Sequence, residues 1–308
     1  MTTTRVPQRR ADRMFAGSSL AAGVVILAAL AAVAVFLVAQ SLPALLVDPS
    51  ELKGSPASFW SFVAPLIFGT VWSAFLALLL ALPLSLGIAL FISHYAPRRI
   101  AQGLGYVIDL LAAVPSVVFG LWGIKVLAPA LVPLYTWLTE NLGWIPLFAP
   151  PASGTGRTVL TVAIVLAVMI IPIITSVCRE VFLQTPVLHE EAALALGATR
   201  WEMIQLAVLP FGRAGIVSAA MLGLGRALGE TMVVAMVLSP ATLVTFVLTS
   251  SQNSPTIAGN IALNFPEAHG VGVNALIATG LILFGITLLI NSVARAIVNR
   301  RAAFSGAN

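Results

Sequence analysis

The sequence predicts an all-α integral membrane protein with six transmembrane helices. Three observations carry that prediction. The chain of 308 residues is 59% hydrophobic and only 9% charged, with a mean hydropathy of +1.02. A soluble domain carries about 25% charged residues, so this chain could not cover a water-facing surface of its size. Its apolar residues gather in six runs, each long enough for the about 20 helical residues that a hydrocarbon core requires. Its basic residues fall in short clusters between those runs, which is how membrane topology is written. The net charge of +5 therefore does not point to nucleic acid.

Residues 1–16 form a basic tail, and residues 17–308 the transmembrane domain. The first span, Gly17–Leu42, is a retained helix. Its charge-free stretch from Leu20 to Val38 exceeds the about 7–15 residues of a cleaved signal. The second span is Ala64–Ser93. The third, Leu104–Leu127, contains Pro115-Ser116, where proline frees a carbonyl and bends the helix. A gate or pore lining fits that bend, and so does a purely structural kink. Asp109 lies one or two turns inside the same span, placed to face the path or to pair with a basic neighbour. From Leu131 to Gly156 the chain is rich in proline, glycine, Tyr135, Trp137 and Trp144, and reads as an outward segment that is either a docking surface for an external partner or a headgroup-anchored loop. The fourth span is Thr158–Val181.

The connection from Gln184 to Arg213 is organised. Thr185-Pro186 caps a helix and places proline where its missing N–H costs nothing. Val187 to Leu196 is rich in good helix formers, and Gly197 can take the left-handed conformation that ends a helix. Thr199-Arg200-Trp201-Glu202 has capping-box spacing and opens a second short helix, which Pro210 should stop. The expected product is a rigid helix-turn-helix wedge beneath the membrane. Its acidic residues Glu190, Glu191 and Glu202 argue against rest on anionic headgroups.

The fifth span, Ala214–Leu238, holds Arg226 and Glu230. A cation at the centre of a bilayer helix costs roughly 2.5–3.5 kcal/mol and is rarely idle. Four residues apart on a continuous helix, the two side chains share one face, one turn above the other. That face lines a polar path for an anion, or forms an ion pair that fixes this helix against its neighbours. Thr242 to Leu248 is too short to span and reads as a loop or re-entrant piece. The sixth span is Val273–Val298.

Orientation follows from Lys and Arg. Arg5, Arg9, Arg10, Arg13, Arg98, Arg99, Arg179, Arg200, Arg213, Arg295, Arg300 and Arg301 fall on one side, against Lys53 and Arg157 on the other. Both termini are therefore expected in the cytoplasm. Lone Cys178 excludes an intramolecular disulfide, and His94, His189 and His269 lack metal-binding spacing, so no cofactor, metal or catalytic residue is expected. Neither Lys53 nor Lys125 sits in a P-loop frame, so ATP must be bound elsewhere.

Glu191-Ala192-Ala193, three residues, Gly197, nine residues, then Ala207-Val208-Leu209-Pro210 resembles the EAA loop of ABC-importer permeases, with Ala207 in place of the usual isoleucine. The runs Asp109 to Gly123 and Gly225 to Met232, together with Trp122, are similar to the permeases of phosphate-specific importers, and more to their PstC-type than their PstA-type subunits. The resemblance covers roughly Leu20 to Val298. It implies a type I importer fold in a bacterial cell membrane. It also implies a second, PstA-like permease subunit, two copies of an ATPase subunit and an extracytoplasmic phosphate-binding protein. Glu191, Ala192, Ala193, Gly197 and Pro210 would couple to the ATPase; Arg226, Glu230, Asp109, Pro115 and Ser116 would line the path. The alternatives are a permease for sulfate or molybdate, a membrane sensor of phosphate, and a secondary transporter, in which the EAA-like loop has no purpose.

Overall fold

The computed structural model describes residues 10–46 and 58–302. Arg5, Arg9 and Lys53, used above for orientation, lie outside them. The described residues form helices α1 (Arg10–Leu46), α2 (Phe59–Leu90), α3 (Arg98–Ala112), α4 (Ser116–Trp122), α5 (Ala128–Leu142) and α6 (Val159–Leu183). They continue with α7 (Val187–Ala195), α8 (Arg200–Met203), α9 (Leu209–Leu228), α10 (Met232–Val237), α11 (Ile257–Asn264) and α12 (Val271–Ala302). Six crossings are long and apolar enough to span a membrane: Met14–Leu46, Phe59–Tyr95, Ser116–Leu142, Val159–Leu183, Arg200–Leu228 and Val271–Ala296.

Helix α6 is the central post. Its residues Val162, Val165, Leu166, Met169, Ile170, Ile174, Cys178 and Phe182 are buried, and α2, α3 and α9 pack around it. Small residues let the backbones approach, as membrane helices require when lipid is as apolar as leucine. Gly223 of α9 faces Ile174 of α6, and Gly212 faces Phe182. Ser85 of α2 donates to the Ile171 carbonyl of α6 at 3.3 Å, so α2 and α6 are joined by a polar contact as well. Helix α1 packs on α12 and leaves nearly all its side chains to lipid. A second small core of Ala44, Phe59, Val63, Ala275 and Ala278 joins α1, α2 and α12.

Two crossings differ from the sequence reading, and proline explains both. The third was expected at Leu104–Leu127 but runs over Ser116–Leu142. Proline disfavours helical backbone at the residue before it, so α3 stops at Ala112 and a new helix starts beyond Pro115. Apolar residues lie on both sides of the break, so hydropathy could not locate the crossing. Much of the expected outward loop is consequently helix, with Pro129 near the start of α5 and Pro133 inside it. The fifth crossing begins earlier than expected, because Pro210 does not stop it, and it ends earlier, at Leu228, where the helix breaks at Gly229. Residues Ile204–Val208 form a widened turn in which the Leu209 N–H reaches the Ile204 carbonyl, and Pro210 rides in the first turn of α9. A proline there needs no N–H partner.

Between α10 and α11 the chain is irregular, as expected for Thr242–Leu248, and it is held throughout. Asn253 is fully buried; its Oδ1 accepts from Val159 N–H at 2.9 Å, and its Nδ2 donates to the Arg157 and Ser239 carbonyls at 3.1 Å. Thr70 Oγ1 of α2 accepts from Ile257 N–H at 2.9 Å, about 16 Å along α2 from Phe59. Irregular backbone at such depth is tolerated only where protein or a water-lined cavity satisfies it.

Candidate functional site

The two charges of the expected fifth span sit at and just beyond the end of its helix. Helix α9 ends at Leu228, where the Gly229 N–H still reaches the Gly225 carbonyl at 3.3 Å. Arg226 occupies the last turn, where a cation complements the negative end of the helix dipole. It is exposed and makes no hydrogen bond or ion pair with any described residue. Glu230 is only 8% exposed and lies beyond the helix end. Its Oε1 accepts from the Met232 and Val233 N–H groups, each at 3.2 Å, and so caps α10. The expected intrahelical pair is therefore not formed: the helix ends between its two members, and Glu230 turns to the orphan donors of the next one.

Helix α10 packs against α4, so the two interrupted crossings meet. The contact depends on glycine. Gly120 lies against Met236 and Val233, and Gly123 against Val237 and Val165. Pro115 opens α4 from an exposed position, its carbonyl accepting from Val118 N–H at 3.0 Å, and Ser116 is half-buried beside it. Asp109 stands apart from this meeting point. Its Oδ1 accepts from Ser176 of α6 at 2.9 Å, on the seam where Gly105 of α3 makes room for the Arg179 guanidinium. No hydrogen bond or ion pair joins Arg226, Glu230, Asp109, Pro115 and Ser116 to one another. The structure brings Ser116 onto a helix that adjoins α10 and leaves Asp109 on the α3–α6 seam.

The expected hairpin is present between α6 and α9. Thr185 does not cap α7 as expected: Pro186 itself takes the position before the first turn, without a side-chain cap, Thr185 Oγ1 is buried and bonds no described residue, and α7 ends at Ala195. Gly197 has φ +88°, and the Ala198 N–H closes the turn onto the Ala193 carbonyl at 3.2 Å. Thr199 and Glu202 complete a capping box, with Thr199 N–H donating to Glu202 Oε2 at 2.7 Å. Glu191 and Ala192 are exposed, Ala193 is half-buried against the core, and Pro210 is exposed at the base of α9. The outer side of the hairpin is apolar. Val187, Leu188, Leu194, Trp201 and Leu206 are exposed, and Leu196 is 91% exposed. These exposed apolar side chains stand beside the acidic residues Glu190, Glu191 and Glu202.

One residue of this region was not legible as functional. His94 reads as an isolated histidine near the end of the second span, yet its Nε2 lies 3.4 Å from Glu190 Oε1 of α7. The pairing spans two elements far apart in the chain, and no local pattern announces it.

Comparison with known proteins places the chain in a family. Residues 81–303 match the family of binding-protein-dependent transport system inner membrane components. The phosphate transport system permease protein PstC 2 of Mycobacterium tuberculosis is 46% identical over 305 residues, covering 94% of this chain and 93% of its own. The PstC of Mycobacterium leprae is 44% identical over 303 residues and 95% of each chain, and that of Mesorhizobium japonicum 39% over 307 residues, 96% of this chain and 92% of its own. A bacterial ABC transporter involved in the import of the acidic polysaccharide alginate shares the fold, with a TM-score of 0.62 at 16% identity over 94% of this chain and 96% of that one.

Proposed function

The chain belongs to the family of binding-protein-dependent inner membrane transport components, among the phosphate transport permeases of PstC type, and we propose that it forms half of the path by which an ATP-driven importer carries inorganic phosphate across the cell membrane. The observation that carries the reading is Arg226, a cation without a partner at the break in a crossing helix. Phosphate bears between one and two negative charges near neutral pH and cannot pass apolar surface without a counter-charge. Arg226 supplies it. Ser116 lies on the proline-started α4, which packs against α10 just beyond that break, and Asp109 stands toward the inner end of the path on the α3–α6 seam.

The energy enters through the hairpin of residues 184–213. Its exposed apolar side, with Glu191 and Ala192, docks a separate ATPase, of which two copies serve the assembled importer; Gly197 and Pro210 set the angle at which the hairpin meets α9. A PstA-like permease supplies the other half of the path, and an extracytoplasmic phosphate-binding protein delivers the anion. Arg98, Arg99, Arg179, Arg200 and Arg213 lie at the helix ends nearest the hairpin, which supports cytoplasmic placement of the hairpin and both termini.

Uptake by the assembled importer in proteoliposomes tests the path. Arg226→Gln is expected to lower phosphate entry at least about tenfold at unchanged assembly. Arg226→Lys should retain part of it, because a point charge survives without the planar fork. Sulfate should not replace phosphate as the transported anion. Wild-type entry in Arg226→Gln removes the assignment.

A further inference from the structure

The second arm of the hairpin is anchored in the membrane core by Met203, Ile204 and Val208, whereas its first arm, α7, is attached more lightly. Helix α7 buries none of its own residues. Its ionic link to another element is Glu190, whose Oε1 lies 3.4 Å from Nε2 of His94. His94 sits in a widened turn, Phe91–Tyr95, that closes the inner end of α2, and its side chain is 9% exposed. On the other side of the ring, Nδ1 lies 2.7 Å from Ser93 Oγ.

These contacts fix what the ring can do. A carboxylate only accepts hydrogen bonds, so Nε2 carries the hydrogen toward Glu190. Nδ1 then accepts from the Ser93 hydroxyl in the neutral ring or donates to it in the imidazolium. In both cases the imidazole is held by α2 on one edge and by the hairpin on the other. At 3.4 Å the contact to Glu190 is long, so it adds little to static stability. Its use is directional: α2 is bonded to the central post through Ser85 and Ile171, and a push on α7 reaches that pair through His94 without passing along the loop.

We propose that His94 is a positioning residue for energy coupling, a strut that passes movement of the hairpin to α2 and thereby to the core. The proposal rests on the reading of the hairpin as the ATPase docking site, and the first step of its test checks that reading alone. The assembled importer is reconstituted, retention of the ATPase is recorded, and inorganic phosphate entry and ATP hydrolysis are followed in the same vesicles. His94→Ala and Glu190→Ala should each lower phosphate entry per ATP about tenfold, with the ATPase retained and hydrolysis near wild type. The double variant should be no worse than either single one, since both remove the same contact. His94→Gln, whose amide nitrogen can stand where Nε2 stands, should restore most of the ratio, whereas His94→Asn should not.

Glu190→Ala alters only the hairpin side and keeps the test valid should His94→Ala assemble poorly. A wild-type ratio in Glu190→Ala, additive losses in the double variant, or failure of His94→Gln to restore coupling overturns the strut. Loss of the ATPase from the wild-type assembly overturns the docking reading itself, and the strut with it.

Discussion

Glu230 and Arg226 show what four residues of spacing can and cannot say. Both were recognisable as charges with no reason to face lipid. Their relation was not, because spacing implies a shared face only on an unbroken helix. The break lies at Gly229, in the run Leu-Gly-Glu-Thr, and what decides it is the capture of the Met232 and Val233 N–H groups by the Glu230 carboxylate. Glu230 is thus a cap, and its charge matters less than its oxygen. Glu230→Gln keeps a carbonyl oxygen in place and should unfold within a few degrees of wild type in detergent. Glu230→Ala leaves the buried Val233 donor and the part-buried Met232 donor orphaned and should lose roughly 1 kcal/mol, the usual worth of a helix cap. Thermal unfolding of the purified chain distinguishes the two. Because the residues are not paired, the uptake losses of Arg226→Gln and Glu230→Gln should also combine independently; strong mutual rescue would instead reveal a pair formed in another state of the transport cycle.

At the scale of elements, the number of crossings was legible and their phase was not. Six apolar runs of sufficient length meant six helices. Proline, however, acts through its local turn. Pro115 ends one helix because the residues before it have already left helical backbone, and Pro210 passes unnoticed because the widened turn at Ile204–Val208 has spent the misfit beforehand. Hydropathy averages over both events. The hairpin was read more fully, since capping boxes and a glycine terminator are local chemistry: Thr199, Glu202 and Gly197 do what their positions announce. The irregular run between α10 and α11 is the opposite case, held by Asn253, Thr70 and the backbone of residues 147–159. It approaches α2 closely at Gly69, where an added methyl would overlap the Pro255 and Ser254 carbonyl oxygens. Gly69→Ala should therefore displace the run and lose about 1–3 kcal/mol. Gly87, on the same helix, has open space around its Cα, so Gly87→Ala should be neutral or gain up to about 1 kcal/mol from reduced chain entropy. Unfolding of the two variants side by side checks this, and equal losses would contradict the close packing at Gly69.

The whole molecule is a post-and-ring design with a handle. Helix α6 stands at the centre, α2 and α9 lean on it, α1 and α12 form an outer pair, and the two interrupted crossings meet where α4 and α10 pack. The hairpin joins the end of α6 to the start of α9, so force applied there reaches the post and the helix that carries Arg226 in its last turn. In the proposed reading two functions are separated in one chain: docking falls to the exposed apolar side of the hairpin, and passage to the cation at the end of α9. Gly197 belongs to the first. Its positive φ strains any L side chain, yet nothing surrounds it, so Gly197→Asp should fold and instead place a carboxylate on the docking face. Arg226 belongs to the second. The most direct measurement is therefore phosphate entry and binding-protein-stimulated ATP hydrolysis, followed together in proteoliposomes of the complete importer carrying Gly197→Asp or Arg226→Gln. The expected result is loss of both activities in Gly197→Asp, and loss of entry with hydrolysis largely retained in Arg226→Gln. Entry at the wild-type rate in both variants would contradict the account.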